Sequence, residues 1–234
     1  WYDSFEIPPD RASYGPFNKL NDLSEERVKA LIEKAAATQP AAGTPEQKIG
    51  DYFASFMDQE GIEARGLAPL QEQLARIQAA KSKKDIAALF GLQGFNSTFG
   101  AGISPDLKDP NRYSIDVGQS GLGLPDRDYY LKSDAKLAEH RAKYVEYIET
   151  MLKLGDVPDA AKKARGIMEF ETAIAKVQWP IEKLREAELN YNPRTKAELI
   201  AYAPGFDWQA FFDAADIGKR ENFVLGPLTA IRDS

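Results

Sequence analysis

Apolar positions recur at helical spacing over most of this chain. Val28, Leu31, Ile32 and Ala35 form one stripe behind Ser24-Glu25-Glu26. A serine cap followed by acids suits the positive end of a helix, so the spacing predicts a helix over residues 24–37. Gln39-Pro40-Ala41-Ala42-Gly43 breaks it. Thr44-Pro45-Glu46-Gln47 then reads as a capping box with proline at the first helical position, and Ile49, Phe53 and Phe56 follow at i, i+4 and i+7. Leu67, Leu70, Leu74 and Ile77 make a further helical face, and Ser82 can cap a short helix carrying Ile86, Leu89 and Phe90.

The period changes over residues 91–128, where glycines, Pro105 and Pro110 interrupt short alternating runs. Residues 95–100 and 112–117 read as antiparallel strands joined by a polar loop. Helical spacing then returns. Asp134 opens a long helix with Leu137, Tyr144, Ile148, Met151 and Leu152, ended by Gly155. Pro158 starts another, with Ile167, Phe170, Ile174 and Val177, ended before Pro180. Thr195-Lys196-Ala197-Glu198 is a second capping box, and Asp207 can cap a helix holding Phe211 and Phe212. The prediction is a mainly α fold: one multi-helix domain over residues 1–234 with a small antiparallel β-hairpin insertion around 91–128.

Composition narrows the function classes. With 234 residues, 43% of them hydrophobic, the chain can bury a substantial core. No apolar run is long enough to cross a bilayer. A net charge of −6 argues against nucleic acid as a partner, because neutralising phosphates needs a basic footprint. The lysines at Lys81, Lys83 and Lys84, and at Lys162 and Lys163, read as solvated helix faces. The absence of cysteine excludes disulfides, thiol chemistry and cysteine-ligated zinc.

One string is asked for by no generic domain: Gly121-Leu122-Gly123-Leu124-Pro125-Asp126-Arg127-Asp128-Tyr129-Tyr130-Leu131. It resembles the G-L-G-L-P-D-R-D-Y-Y signature of neprilysin-like zinc metallopeptidases. Three further stretches agree in the family's order. The opening Trp1-Tyr2-Asp3-Ser4-Phe5-Glu6-Ile7-Pro8-Pro9-Asp10-Arg11-Ala12-Ser13-Tyr14-Gly15-Pro16-Phe17 is similar to its W-x(n)-I-P-x-D-x-x-x-Y-G-x-F segment. Residues 48–58, with Tyr52, Ser55, Phe56, Met57 and Asp58, are similar to its Y-x-S-C/F-M-D helix. Leu189-Asn190-Tyr191-Asn192-Pro193, with Thr195, Glu198 and Leu199, is similar to its Y-N-x-x-T-x-x-E-L stretch.

The resemblance implies a zinc-dependent metalloendopeptidase of oligopeptides, of which this chain is the N-terminal, cavity-roofing half of a two-domain fold. The family's zinc site needs a helical H-E-x-x-H, two imidazoles one turn apart with a general-base Glu between them. This chain has one histidine, His140, in Ala138-Glu139-His140-Arg141-Ala142. No catalytic residue and no metal ligand is therefore expected here, and the isolated chain is expected to be inactive. Zinc would be bound by a C-terminal catalytic half, the expected partner besides peptide substrates, and both ends of the chain read as cut. The cysteine-free composition and the family point to a bacterial protein that is secreted or periplasmic.

The resemblance also implies a substrate-binding segment. In the family the Phe of Y-G-x-F helps line the pocket for the residue after the scissile bond, and Phe17 matches it. The neighbouring Arg that grips a substrate carboxylate is Ser13 here, the Asp after the Phe is Asn18, and a second Arg is Asn21. Losing that bidentate guanidinium implies a plain endopeptidase rather than a dipeptidyl-carboxypeptidase. A core position at a helix start is the competing account of Phe17. Asp126 and Asp128 could form an acid–base pair but read better as turn caps, and Tyr129, Tyr130, Phe206 and Trp208 as packing anchors. The rival to the peptidase reading is a stand-alone non-catalytic helical binding or scaffolding module.

Overall fold

Pro16 at the first helical position, with Asn18 Oδ1 accepting the Gly15 N–H at 2.9 Å, starts a helix eight residues before the Ser24 cap. The computed structural model describes residues 6–38 and 40–234, so Trp1 to Phe5 of the opening motif lie outside the described residues. The chain divides into two compact units, Trp1–Pro69 and Leu70–Ser234.

The first unit holds α1 (Pro16–Ala37), α2 (Pro45–Met57) and α3 (Gln59–Arg65). Thr44 Oγ1 accepts the Gln47 N–H at 3.3 Å, as the capping box predicts, while the Gln47 side chain turns back to the Gly43 N–H. The pair α1 and α2 meets through small residues: a Cβ on Gly50 would lie 2.8 Å from the Ala35 carbonyl oxygen. Ala35 and Gly50 are the buried positions of these two helices. Leu20, Leu31, Tyr52, Phe56 and Met57 stay exposed.

The second unit opens with α4 (Gln71–Ala79) and α5 (Lys83–Gly91), the latter capped by Ser82 with Asp85 completing a capping box. The predicted hairpin follows as β1 (Phe99–Pro105) and β2 (Tyr113–Gln119), antiparallel in unbroken register from Phe99↔Gln119 to Pro105↔Tyr113. Next come α6 (Asp128–Leu131), α7 (Ala135–Leu154), α8 (Ala160–Val177) and α9 (Ile181–Leu184). The chain ends with β3 (Asn192–Thr195), α10 (Lys196–Tyr202), α11 (Trp208–Ala214), β4 (Asn222–Leu225) and α12 (Leu228–Asp233). The caps at Asp134, Thr195 and Asp207 all form.

The fold is mainly α, as predicted, but the hairpin is not an isolated insertion. It is half of a four-stranded sheet of order β1-β2-β4-β3, with β2 and β4 parallel and β3 antiparallel to β4. Alternate residues Phe99, Ile115, Val117, Phe223 and Leu225 turn one face inward. Leu199, Trp208, Phe211, Phe212 and Ile231 from α10 to α12 close over them, so the core of this unit is a small sheet roofed by short helices. Beside it, α7 and α8 pack against each other and against α6.

Candidate functional site

The predicted substrate-binding residues fall on and just before the first turns of α1. Ser13 is exposed ahead of the helix, and Phe17 and Asn21 share a face at i and i+4. Phe17 is 87% exposed, so it is no part of this chain's core. Asn18 is occupied as the helix cap, and Asn21 Nδ2 donates to Glu25 Oε1 at 2.6 Å. Sequence reasoning missed the group that fixes this segment. Asp22 accepts the Tyr14 hydroxyl at 2.7 Å and Arg11 Nη2 at 2.8 Å. The Tyr14 bond, then Arg11, holds the Asp22 carboxyl below its ordinary value. Arg11 is thereby committed to Asp22.

The signature string is a structural brace. Asp126 Oδ1 accepts the Asp128 N–H at 2.7 Å and so caps the turn, while the Asp128 carboxylate pairs with Lys132 at 2.6 Å. Gly121 adopts φ +89°, with room for no side chain, because a Cβ would lie 3.0 Å from the Ser97 carbonyl oxygen. Arg127 Nε donates to the Ala175 carbonyl at 3.1 Å. Tyr130, buried, accepts the Leu124 N–H at 2.8 Å and donates to Glu171 Oε2 at 2.5 Å. Tyr144 donates to Glu171 Oε1 at 3.0 Å. One carboxylate on α8 thus ties the signature loop to α7. Burial, then the bond to Glu171, raises the Tyr130 phenol, and burial, then the Glu171 charge, raises Tyr144. Both act as neutral donors.

A second brace closes the β1–β2 tip. Asp106, 2% exposed, accepts Tyr191 at 2.7 Å, Arg112 at 2.7 Å and the Lys108 N–H at 2.9 Å. The Tyr191 bond, then Arg112, holds its carboxyl well below the usual range. The tyrosine of the third family stretch therefore anchors a hairpin far away in sequence. Tyr129 packs near exposed His140, with ring centroids 5.9 Å apart, while Trp208 and Phe206 meet edge to face, the first in the core and the second against it. Among the described residues, no group of three or more His, Asp or Glu side chains could hold a metal ion.

These clusters position loops; none presents a nucleophile beside a base. The N-terminal model of peptidase family M13 matches residues 1–232. The chain belongs to peptidase family M13. It is 30% identical over 96% of its length to endothelin-converting enzyme 1 of Rattus norvegicus, and 30% identical over 94% to neprilysin-3 of Drosophila melanogaster. It spans 31% and 30% of those proteins, about a third of their length. Among solved structures, the zinc metalloprotease Zmp1 of Mycobacterium tuberculosis, in complex with an inhibitor, matches 99% of this chain at 36% identity with a TM-score of 0.87, over 36% of its own chain. PepO of Lactobacillus rhamnosis shares the fold, with a TM-score of 0.71 at 17% identity. The M13 match accounts for the signature, since the matching model is that of the family's N-terminal region.

Proposed function

We propose that this chain is the N-terminal, non-zinc-binding part of a bacterial, exported zinc-dependent metalloendopeptidase that cleaves oligopeptides. The observation that carries the reading is the M13 match over residues 1–232, joined to 36% identity and a TM-score of 0.87 against a zinc metalloprotease. The rival reading, a stand-alone scaffolding module, has no such support. In the full-length protein zinc would polarise the scissile carbonyl and activate water. Its ligands would come from the catalytic half, since among the described residues no His, Asp or Glu side chains gather into a group that fits a metal.

The role of this region is to roof the cavity and to help select substrates. Phe17 offers an exposed ring on the face it shares with Asn21, and it lines the pocket for the residue after the scissile bond. Asn18 and Ser13 flank it as polar, uncharged neighbours. With no guanidinium free at Ser13, a substrate's terminal carboxylate gains no bidentate grip, so internal bonds are cut.

The test uses the full-length enzyme. Wild type should contain about one zinc per molecule and hydrolyse peptides in a chelator-sensitive way. Phe17→Ala should lower kcat/KM about tenfold for peptides with a bulky residue after the scissile bond and little for those with a small one, a loss of the size expected for one apolar pocket contact. Absence of zinc and of chelator-sensitive turnover in the wild type overturns the reading. An unchanged preference in Phe17→Ala removes the pocket role alone.

A further inference from the structure

The sheet of the second unit ends at β1, and that edge is open among the described residues. The Thr98 carbonyl accepts the Ser120 N–H at 3.0 Å and the Asp106 N–H donates to the Arg112 carbonyl at 2.8 Å. With the register unbroken between them, even-numbered residues bond across to β2. The N–H groups of Ala101 and Ile103, and the carbonyls of Phe99, Ala101 and Ile103, therefore point outward. Proteins guard such edges with charges, bulges or mid-strand proline. This strand, Phe-Gly-Ala-Gly-Ile-Ser-Pro, has no charge and no bulge, and its proline stands at the end.

Two further observations point to an occupant. Gly100 and Gly102 sit on one sheet face with no internal reason to be glycine: a Cβ on Gly102 would meet nothing within 4 Å, and one on Gly100 only Ser120 Cβ at 3.9 Å. With no side chains there, that face leaves the backbone beside the edge open to an approaching segment, one of the uses of glycine in a strand. On the opposite face Ile103, 65% exposed, and Tyr113, 71% exposed, border a groove of about 400 Å³ with Ile115 and Arg220.

We propose that the β1 edge receives a fifth strand, supplied by an extended segment of the same full-length polypeptide, with one apolar side chain seated in the groove beside Ile103. The inference rests on the reading of this chain as part of a longer M13 enzyme. The chain spans only 31% of endothelin-converting enzyme 1 and 36% of the Zmp1 chain, so most of such a protein is available to supply the strand. A tethered segment acts at an effective concentration of about millimolar, far above that of a free peptide or a second copy in dilute solution.

The experiment is amide hydrogen exchange on the full-length enzyme, read at Ala101 and Ile103. Exchange at least about a hundredfold slower than the free-amide rate, independent of protein concentration and without added peptide, is the expected result. Free exchange at both amides overturns the proposal. Protection that grows with protein concentration assigns the edge to a second copy, and protection only with added peptide assigns it to substrate; each overturns it. A photo-cross-linker attached at Ile103→Cys should join this region to a peptide from outside residues 1–234. As a second variant, Ala101→Pro removes one outward N–H and leaves the β2 pairing intact. It should lower the melting temperature of the full-length enzyme if the strand is added and leave it unchanged if the edge is free. Zinc content and peptide hydrolysis are measured on the same wild-type sample, so failure of the peptidase reading shows there and failure of the strand addition shows only in the exchange.

Discussion

The Asp106 carboxylate is almost inaccessible, yet every hydrogen bond it accepts comes from the hairpin tip or from Tyr191. Its folded value lies below the ordinary carboxylate value of about 3.9. Such a depressed group contributes stability that is present above about pH 4 and is lost as pH falls toward the folded value. Asp106→Asn should therefore melt below wild type at neutral pH, with the gap narrowing below about pH 4 in thermal scans. The tyrosines on Glu171 have the opposite sign. Their raised values mean stability that is full below about pH 10 and lost as pH rises through the folded values. Tyr130→Phe should cost about 1–2 kcal/mol at neutral pH, because it strands the Leu124 N–H and removes one donor from Glu171. The double variant with Tyr144→Phe should start lower than wild type and lose less between pH 10 and 12, which denaturant titration at each pH reads directly. The capping roles of Asp126, Asp134 and Thr195, and the pairing of Asp128 with Lys132, were legible because each partner lies within a few residues. The bond from Tyr191 to Asp106 spans 85 positions and that from Tyr130 to Glu171 spans 41, and no local pattern encodes such a pair.

At the scale of elements, helix existence followed from apolar spacing, while helix starts depended on which cap won. Ser24 reads as a cap, but Pro16 and Asn18 offer an earlier one, and nothing between them interrupts the helix. The strands β3 and β4 were missed because four residues each are too short to show a period, and their pairing is set by the core that β2 shares with α11. The packing of α5 on α11 gives a test in which two effects oppose. Gly91 ends α5 against α11, where a Cβ would collide with the Phe211 carbonyl oxygen and lie 2.9 Å from Ala214 Cβ. Alanine is the better helix former by about 1 kcal/mol, but overpacking against a fixed backbone costs about 1–3 kcal/mol. Gly91→Ala should therefore destabilise by up to about 2 kcal/mol in denaturant unfolding. Gly166→Ala, inside α8 with nothing within 4 Å of the new Cβ, should stabilise by up to about 1 kcal/mol.

For the whole molecule, the deciding signal was the order of four motifs, and the folded chain explains why they are legible when its chemistry is not. The signature, the Tyr191 stretch and the Tyr14 segment each build a brace, so their residues are demanded by geometry, whereas the substrate role proposed for Phe17 falls on an exposed ring outside those braces. The same exposure carries a prediction about the region alone. Leu20, Leu31, Tyr52, Phe56 and Met57 leave large apolar surfaces open on α1 and α2, whose mutual contact is made by small residues. Apolar surface on that scale is covered in a working protein. The polypeptide 1–234 expressed alone should bind a hydrophobic dye strongly, self-associate as its concentration rises, retain no zinc after dialysis and show no peptide hydrolysis. Adding the remainder of the protein in trans should suppress dye binding and restore chelator-sensitive hydrolysis. A region that stays monomeric and dye-free by itself would mean that these helices cover their apolar faces unaided, and the proposed roofing role would lose its physical basis.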